Sequence, residues 1–528
     1  MRHLLSRLHS ALPRHPSAYL KLWMGRLVFW SGAIGVGLLA VLYGKLEVWL
    51  TEGLFYVLHE WRWCLLLLSP LGGALCLWLT RRFFHGAEGS GIPQTLAEMR
   101  RPQTAEGDSA AEERLWRPLL SLRILFGKLF LGAASIGCGF SLGREGPMVQ
   151  IGAALMNSVY RFLPKALAIR RDYLIVAGGA AGIAAAFNAP LAGILFAIEE
   201  LSRGVQAKLT GVIITAIVLA GIVAQGFMGR GNFFGNVLIL GSQGEQLKAV
   251  VVASVVCGVT GGLFSWLLLH AGTNWKGHVA DFRREHPIGF AAICGLILAA
   301  MGLATGGASF GSGLEEARLL LERQGDIPWY FAPVKYLATL IASVSGVPGG
   351  ILSPALAIGA GVGHNLAPLL GQTATPGMLL ALCMAGFLAA TMQAPLTSFV
   401  IVMEMTDSYS IVIPLMAVSL FSSVISRLFS PPMYATLAEN ILLRTGPLPE
   451  EATRAAKVAG EGQSGFQKIA KTLKTLLSRR FSLPFERPPT TRTDPQNAPE
   501  VSAPSKATAD TPPTSSTPPA ADPGEKSA

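Results

Sequence analysis

The sequence predicts an all-α polytopic membrane protein whose interior is built from two related halves of tilted, interrupted helices. Three observations carry that expectation. Of 528 residues, 51% are apolar and only 14% are Asp, Glu, Lys or Arg, against about 25% charged in soluble domains. Apolar segments recur along most of the chain, many of them cut short by Gly and Pro. The cut segments also repeat, in order, in the second half. The first observation argues against a soluble globular enzyme, because too few charges remain to cover so long a chain in water. It also excludes a disordered chain, a coiled coil and a disulfide scaffold. The six cysteines lie in apolar stretches, with no CxxC pair and no His at ligand spacing, so they read as packing residues and no metal site is expected.

The chain opens with a basic stretch, residues 1–26, carrying Arg2, Arg7, Arg14, Lys21 and Arg26 and no acid. The apolar run that follows, 27–44, is longer than a signal-peptide core and lacks a nearby cleavage signature. The positive-inside rule therefore places an uncleaved N-terminus in the cytoplasm. Further apolar segments fall at about 62–80, 124–142, 147–163, 173–187, 188–201, 209–228, 248–270, 288–304, 333–346, 354–370, 377–392, 395–406 and 411–429. Several are shorter than the roughly 20 residues a full span requires. The breaks are Gly143-Arg144-Glu145-Gly146-Pro147, Asn188-Ala189-Pro190, Gly349-Gly350 to Pro354, and Gln393-Ala394-Pro395. Broken helices survive in a bilayer only where protein buries them or where they line a cavity. The 59 glycines suit close helix packing without a hydrophobic driving force between helices. After residue 441 the character changes. Residues 442–487 are basic, with Phe466, Ile469, Leu473 and Leu476 able to share one face of an amphipathic helix on the inner leaflet. Residues 488–528 are rich in Pro, Thr, Ser and Ala and read as a disordered tail. Basic character at both ends points to two cytoplasmic termini.

The repeat lies within residues 27–441, in halves of roughly 27–229 and 247–441. Gly143, Pro147, Ile151, Gly152 and Ala153 recur as Gly350, Pro354, Ile358, Gly359 and Ala360, 207 positions on. Ala180, Ala184, Ala185, Ala189, Pro190, Leu191 and Glu199 recur as Ala385, Ala389, Ala390, Ala394, Pro395, Leu396 and Glu404, 205 positions on. Repeated broken helices are a transporter pattern, with the binding site near the midplane at the repeat interface. Helix starts after Gly143 and Gly350 would aim unpaired amides and positive dipole ends at that site. Such ends hold an anion without a fixed full charge. No dense set of Asp or Asn lines the breaks, which argues against a sodium site.

With these stretches in hand, a family resemblance can be stated. Gly89-Ser90-Gly91-Ile92-Pro93, Gly143-Arg144-Glu145-Gly146-Pro147 and Gly349-Gly350-Ile351-Leu352-Ser353-Pro354 resemble the three signature stretches of the CLC chloride channels and chloride/proton antiporters. Asn188-Ala189-Pro190-Leu191-Ala192-Gly193 with Glu199-Glu200 resembles the next segment, and Tyr434 the late tyrosine. The resemblance covers about residues 27–441. It implies an inverted repeat and a homodimer with one pore per subunit. It implies that Ser90 and Tyr434 are central anion ligands, joined by the amides around Ile351 and Leu352. The amides of Arg144 to Gly146 would line the outer path. Glu145 would be the gating glutamate and Glu200 the inner proton-transfer glutamate. Three departures stand out. Leu352 replaces the usual Phe, Gln94 stands where an acid is common, and no regulatory CBS pair follows the membrane part.

Read without the family, these residues have plainer alternatives. Ser90 alone is a good N-cap for a helix over Ile92 to Met99, and Tyr434 alone an interfacial belt aromatic. Glu145 could simply complement a helix dipole, although an ionisable group inside an apolar stretch is a functional candidate by default. Arg144 reads as a structural anchor. Glu199 and Glu200 are neighbours and so face different ways on a helix. Glu199 matches Glu404 in the repeat, whereas Met405 stands opposite Glu200, which marks Glu200 as the specialised one. The expected activity is exchange of chloride for protons across a bacterial-type inner membrane, with chloride as substrate and no cofactor. The alternatives are a passive voltage- or pH-gated chloride channel and an exchanger of another monovalent anion. An intramembrane enzyme using Glu199-Glu200 lacks a metal set such as HExxH, and no folded soluble domain supports a receptor. Membrane lipid is an expected partner and nucleic acid is not.

Overall fold

The computed structural model describes residues 16–100, 118–163, 170–202, 211–229, 234, 243–322, 327–370 and 375–445. The first half contains α1 (Pro16–Glu60), α2 (Leu65–Phe83), α3 (Ile92–Arg100), α4 (Leu122–Gly137), α5 (Glu145–Val159), α6 (Arg171–Phe187), α7 (Pro190–Phe196) and α8 (Gly211–Met228). The second contains α9 (Gln243–Leu269), α10 (His278–Glu285), α11 (Pro287–Ala304), α12 (Leu314–Glu322), α13 (Phe331–Ser345), α14 (Leu352–Leu370), α15 (Pro376–Met392), α16 (Pro395–Thr406), α17 (Val412–Ser426) and α18 (Met433–Thr445). Five of the described helices are long and apolar enough to cross a membrane. Their outward side chains are apolar as well, among them Leu67, Leu71, Val251, Ile293 and Phe421, the pattern of helices solvated by lipid.

The largest departure from the sequence expectation is α1. The apolar run 27–44 is only its middle. The helix begins at Pro16, inside the stretch 1–26 read as a basic terminus, and continues to Glu60, 45 residues in all. At 1.5 Å per residue that is about 68 Å, twice the hydrocarbon core. No proline lies between Gly44 and Glu60, and the one acid just past the apolar run, Glu47, is buried. At the other end, α18 runs across the boundary placed at residue 441. The remainder of the stretch 442–487 and all of 488–528 lie outside the described residues.

The two halves have matching punctuation. α6 and α15 both end on a left-handed residue, Asn188 at φ 55° and Gln393 at φ 56°, each with its amide bonded back to Ala184 and Ala389 respectively. Pro190 and Pro395 then start α7 and α16, where a missing N–H costs nothing. Close packing repeats too. A side chain on Gly152 would strike the Gly178 carbonyl on α6, and one on Gly359 would lie 2.5 Å from the Cys383 carbonyl on α15. Both helix pairs therefore approach backbone to backbone.

The halves also meet at equivalent residues. Gly143 N–H donates to the Gly350 carbonyl at 2.8 Å and Gly350 N–H to the Gly143 carbonyl at 2.7 Å, an antiparallel bridge. Glu199, in the turn just after α7, and Glu404, on α16, each offer a carboxylate to the first amides of the other half's helix, α16 and α7 respectively. Equivalent segments thus run in opposite directions where they touch, the relation of an inverted repeat.

Candidate anion site

The Gly143–Gly350 bridge fixes the starts of two helices at one point, α5 at Glu145 and α14 at Leu352. The loop before α3 joins them, since Gly349 N–H donates to the Gly89 carbonyl at 3.0 Å. That loop is pinned from several sides. Gln94 accepts from Gly91 N–H at 3.0 Å and donates to the Glu88 carbonyl at 2.5 Å, and Gln150 donates to the Gly86 carbonyl at 2.8 Å. The amide of Gln94 serves both contacts, one donor and one acceptor, which a carboxylate could not do. α18 packs against α3 and brings Tyr434, its second residue, to the same point. An ion pair between Arg100 and Glu439, 3.6 Å, spans the two helices.

Four helix N-termini therefore converge, those of α3, α5, α14 and α18. The first amides of a helix have no acceptor within it and carry the positive end of its dipole. Ser90 and Tyr434 add two hydroxyls. The Tyr434 hydroxyl faces that of Ser90 and lies within electrostatic reach of the Glu145 and Glu200 carboxylates. Both hydroxyls are buried, and neither makes a well-formed hydrogen bond to the protein. Buried polar groups are normally satisfied, so two facing hydroxyls without partners mark a place for a ligand. Gly146 makes the approach possible: a Cβ there would collide with Ser90 Oγ and lie 3.2 Å from Gly350 Cα.

Glu145 is 1% exposed. Its carboxylate lies against the hydroxyl and amide of Ser353, at the start of α14, and its Oε2 has no well-formed hydrogen bond. The gate candidate from the first half thus sits over the helix start of the second. Ile351 and Leu352 are buried at that start, 5% and 1% exposed. Arg144 turns away. Its guanidinium reaches Glu47 at 3.3 Å and the Ala186 carbonyl at 3.4 Å, and approaches Glu145 at only 4.0 Å.

Glu200 is buried, in a wide π-type turn over Ala197–Leu201 that follows α7. The adjacent Glu199 points the other way, to Leu396 and Thr397. Sequence reasoning expected the two to face different ways, and it missed two lysines. Lys128 donates to the carbonyls of Ala87, Glu88 and Gly89, and Lys335 to those of Ser309, Phe310 and Gly311. Both are fully buried. The signal was present: Gly89-Ser90-Gly91 recurs as Gly311-Ser312-Gly313, and Lys128 as Lys335. Among the described residues, no group of three His, Cys, Asp or Glu side chains is placed to hold a metal ion.

Comparison with known proteins agrees with this geometry. The sequence profile of a family described as "Voltage gated chloride channel" matches residues 72–427. The chain is 32% identical over 443 residues to the H(+)/Cl(-) exchange transporter ClcA of Cronobacter sakazakii, covering 80% of this chain and 90% of the relative. It is 30% identical over 455 residues to the protein of the same name from Klebsiella pneumoniae subsp. pneumoniae, covering 82% and 91%. In structure it resembles a slow cyanobacterial Cl-/H+ antiporter, with a TM-score of 0.67 at 24% identity, covering 79% of this chain and 98% of that one. A CLC-type fluoride/proton antiporter matches with a TM-score of 0.63 at 22% identity, covering 79% and 98%. The chain belongs to the voltage-gated chloride channel, or CLC, family.

Proposed function

We propose that this protein exchanges chloride for protons across the inner membrane of a bacterial-type cell, through one pathway per subunit of a homodimer with both termini cytoplasmic. The observation that carries the reading is the convergence of four helix starts on the facing hydroxyls of Ser90 and Tyr434, with the Glu145 carboxylate beside them. Amide ends and hydroxyls offer hydrogen-bond donors without a full positive charge, so a halide is held and released rather than trapped. The names of the ClcA relatives support proton coupling.

In this reading chloride sits between Ser90 and Tyr434, and the amides around Ile351 and Leu352 complete its shell. The Glu145 carboxylate, itself an anion, competes for the amides at the start of α14. When it takes a proton it loses its claim on those donors and swings clear, and chloride passes. Arg144 to Gly146 line the outer approach. Glu200 loads protons from the inner side, and no cofactor takes part.

A second reading, a passive chloride channel, draws on the family's description as a channel. One experiment separates the two. Purified protein is reconstituted into chloride-loaded liposomes with chloride and pH electrodes recording together. An outward chloride gradient that drives protons inward against their own gradient supports exchange. Chloride flux with no proton movement supports the channel.

A further inference from the structure

Glu47 belongs to none of the motifs above, yet it pairs with the arginine next to the gate candidate. It lies on α1, is 8% exposed, and places Oε2 3.3 Å from Arg144 Nη1. The Ser312 hydroxyl, from the second Gly-Ser-Gly loop, lies against the same carboxylate. So the two repeat-related serines have different duties: Ser90 faces Tyr434, and Ser312 faces Glu47. Gly44, almost one turn earlier on α1, clears the space for the guanidinium, since a Cβ there would lie 2.6 Å from Arg144 Nη1. On the opposite side of that guanidinium, Nε stands 4.0 Å from Glu145 Oε1 and has no hydrogen-bond partner. One cation is shared between two buried carboxylates. The hydrogen-bonded contact is the one to Glu47.

Buried charges are costly unless well paired, and breaking such a pair is more costly still. With Glu47 present, Arg144 is satisfied by Glu47 and the Ala186 carbonyl and keeps its distance from Glu145. Without the Glu47 charge, Glu145 becomes the one carboxylate among the described residues within ion-pair distance of Arg144. The guanidinium would then close on it. We propose that Glu47 is a positioning residue for the gate: it holds the Arg144 guanidinium off the Glu145 carboxylate and so leaves that carboxylate free to take a proton and move.

The other groups facing this cluster are few. Tyr43, on α1, is within electrostatic reach of Glu47, Arg144 and Glu145. α14 presents the Ser353 hydroxyl to Glu145, and α18 presents Tyr434. α8 has no ionisable side chain between Gly211 and Met228. On α4, Lys128 is committed to the carbonyls of residues 87–89. On α6, Arg171 and Asp172 lie at the far end of the helix from Ala186, about 20 Å away at 1.5 Å per residue.

The inference rests on Glu145 being the gate, and the test separates the two. Chloride/proton exchange is measured in liposomes from about pH 4.5 to 7.5 for the wild type and Glu47→Gln. Replacing the carboxylate by an amide frees Arg144 to stabilise charged Glu145, so more acid is needed to open the gate. The pH of half-maximal exchange is expected to fall by about half to one unit, with little change in the acid plateau. In a Glu145→Gln background, where coupled exchange is lost and chloride flux alone is read, adding Glu47→Gln should leave the pH dependence of that flux unshifted. Glu47→Asp keeps the charge but draws it back by one methylene, so it should give a smaller shift in the same direction. That variant carries the test if the Gln variant does not fold. An unchanged profile, a shift to higher pH, or a shift that persists in the Glu145→Gln background would overturn the proposal. If Glu145→Gln alone still couples protons, it is the gate assignment that fails.

Discussion

Glu199 and Glu404 cap each other's helices. Glu199 accepts from the amides of Leu396 and Thr397 at 3.1 and 2.8 Å and from the Thr397 hydroxyl at 2.9 Å, at the start of α16. Glu404, near the end of α16, accepts from the amides of Leu191 and Ala192 at 3.1 and 2.8 Å, at the start of α7. Each carboxylate neutralises two orphan amides and the positive end of a dipole. The pair is therefore a structural clasp between the repeats, and Glu200 beside it is left for other work.

The clasp makes a stability prediction. Glu404→Gln keeps one acceptor oxygen but turns an NH2 toward an amide N–H and removes the charge. Charge-assisted hydrogen bonds contribute about 1.5–3 kcal/mol, so the variant is expected to lose about 2 kcal/mol. Its unfolding midpoint in detergent should fall, while the ratio of protons to chlorides stays that of the wild type below the transition. A changed ratio in well-folded protein would show that the clasp takes part in transport.

Gly146→Ala tests the hydroxyl pair. The new Cβ would collide with Ser90 Oγ and lie 3.0 Å from the Ser90 carbonyl and 3.2 Å from Gly350 Cα. Two of these three neighbours are backbone, so the Ser90 loop must move. Overpacking of this kind costs about 1–3 kcal/mol. Chloride binding measured by calorimetry is expected to weaken about tenfold or more. Gly53→Ala, where a Cβ meets nothing within 4 Å, should bind as the wild type does. Equal affinity in both would remove Ser90 from the site.

The helix breaks were readable from the sequence because Gly, Pro and Asn impose their geometry locally. Asn188 and Gln393 in the left-handed region, each followed by Ala-Pro, are visible as residue types before any fold is known. The bridge between Gly143 and Gly350 was half visible, since the repeat names the two glycines without saying that they touch. The meeting of Ser90 with Tyr434 was not visible at all without the family resemblance, because no local rule links the two. Glu47 was passed over for a related reason. A charge after an apolar run marks a membrane boundary in most chains, and only the tertiary contact with Arg144 lets this one continue inside a helix. Lys128 and Lys335 were passed over because an isolated lysine in an apolar helix has no partner in its own neighbourhood. Their partners are carbonyls in loops distant along the chain.

Glu145→Gln separates gating from coupling. The neutral side chain still fits the space beside Ser353 but cannot carry a proton. Chloride should keep moving down its gradient while a chloride gradient no longer drives proton uptake. Persistent uphill proton movement in this variant would refute the gate assignment.

Glu200→Gln decides whether the inner carboxylate is a relay. A proton bound for Glu145 needs a titratable step on the inner side, because a column of bound chloride conducts protons poorly. Glu200 is buried and within electrostatic reach of Tyr434. It has Met405, not an acid, as its counterpart in the repeat, so the two-fold relation that explains Glu199 and Glu404 does not explain it. The wide turn over Ala197–Leu201 supports the same view, since a π-type turn gives up regular helix bonding and such turns are frequent at functional sites. An amide at this position cannot release and rebind protons. The variant is therefore expected to lose most proton movement, tenfold or more if no second route exists, while chloride flux continues and the unfolding midpoint stays near that of the wild type. That combination distinguishes Glu200 from Glu404, whose loss should show in stability and not in coupling. Proton transport at the wild-type rate in Glu200→Gln would return Glu200 to a structural role.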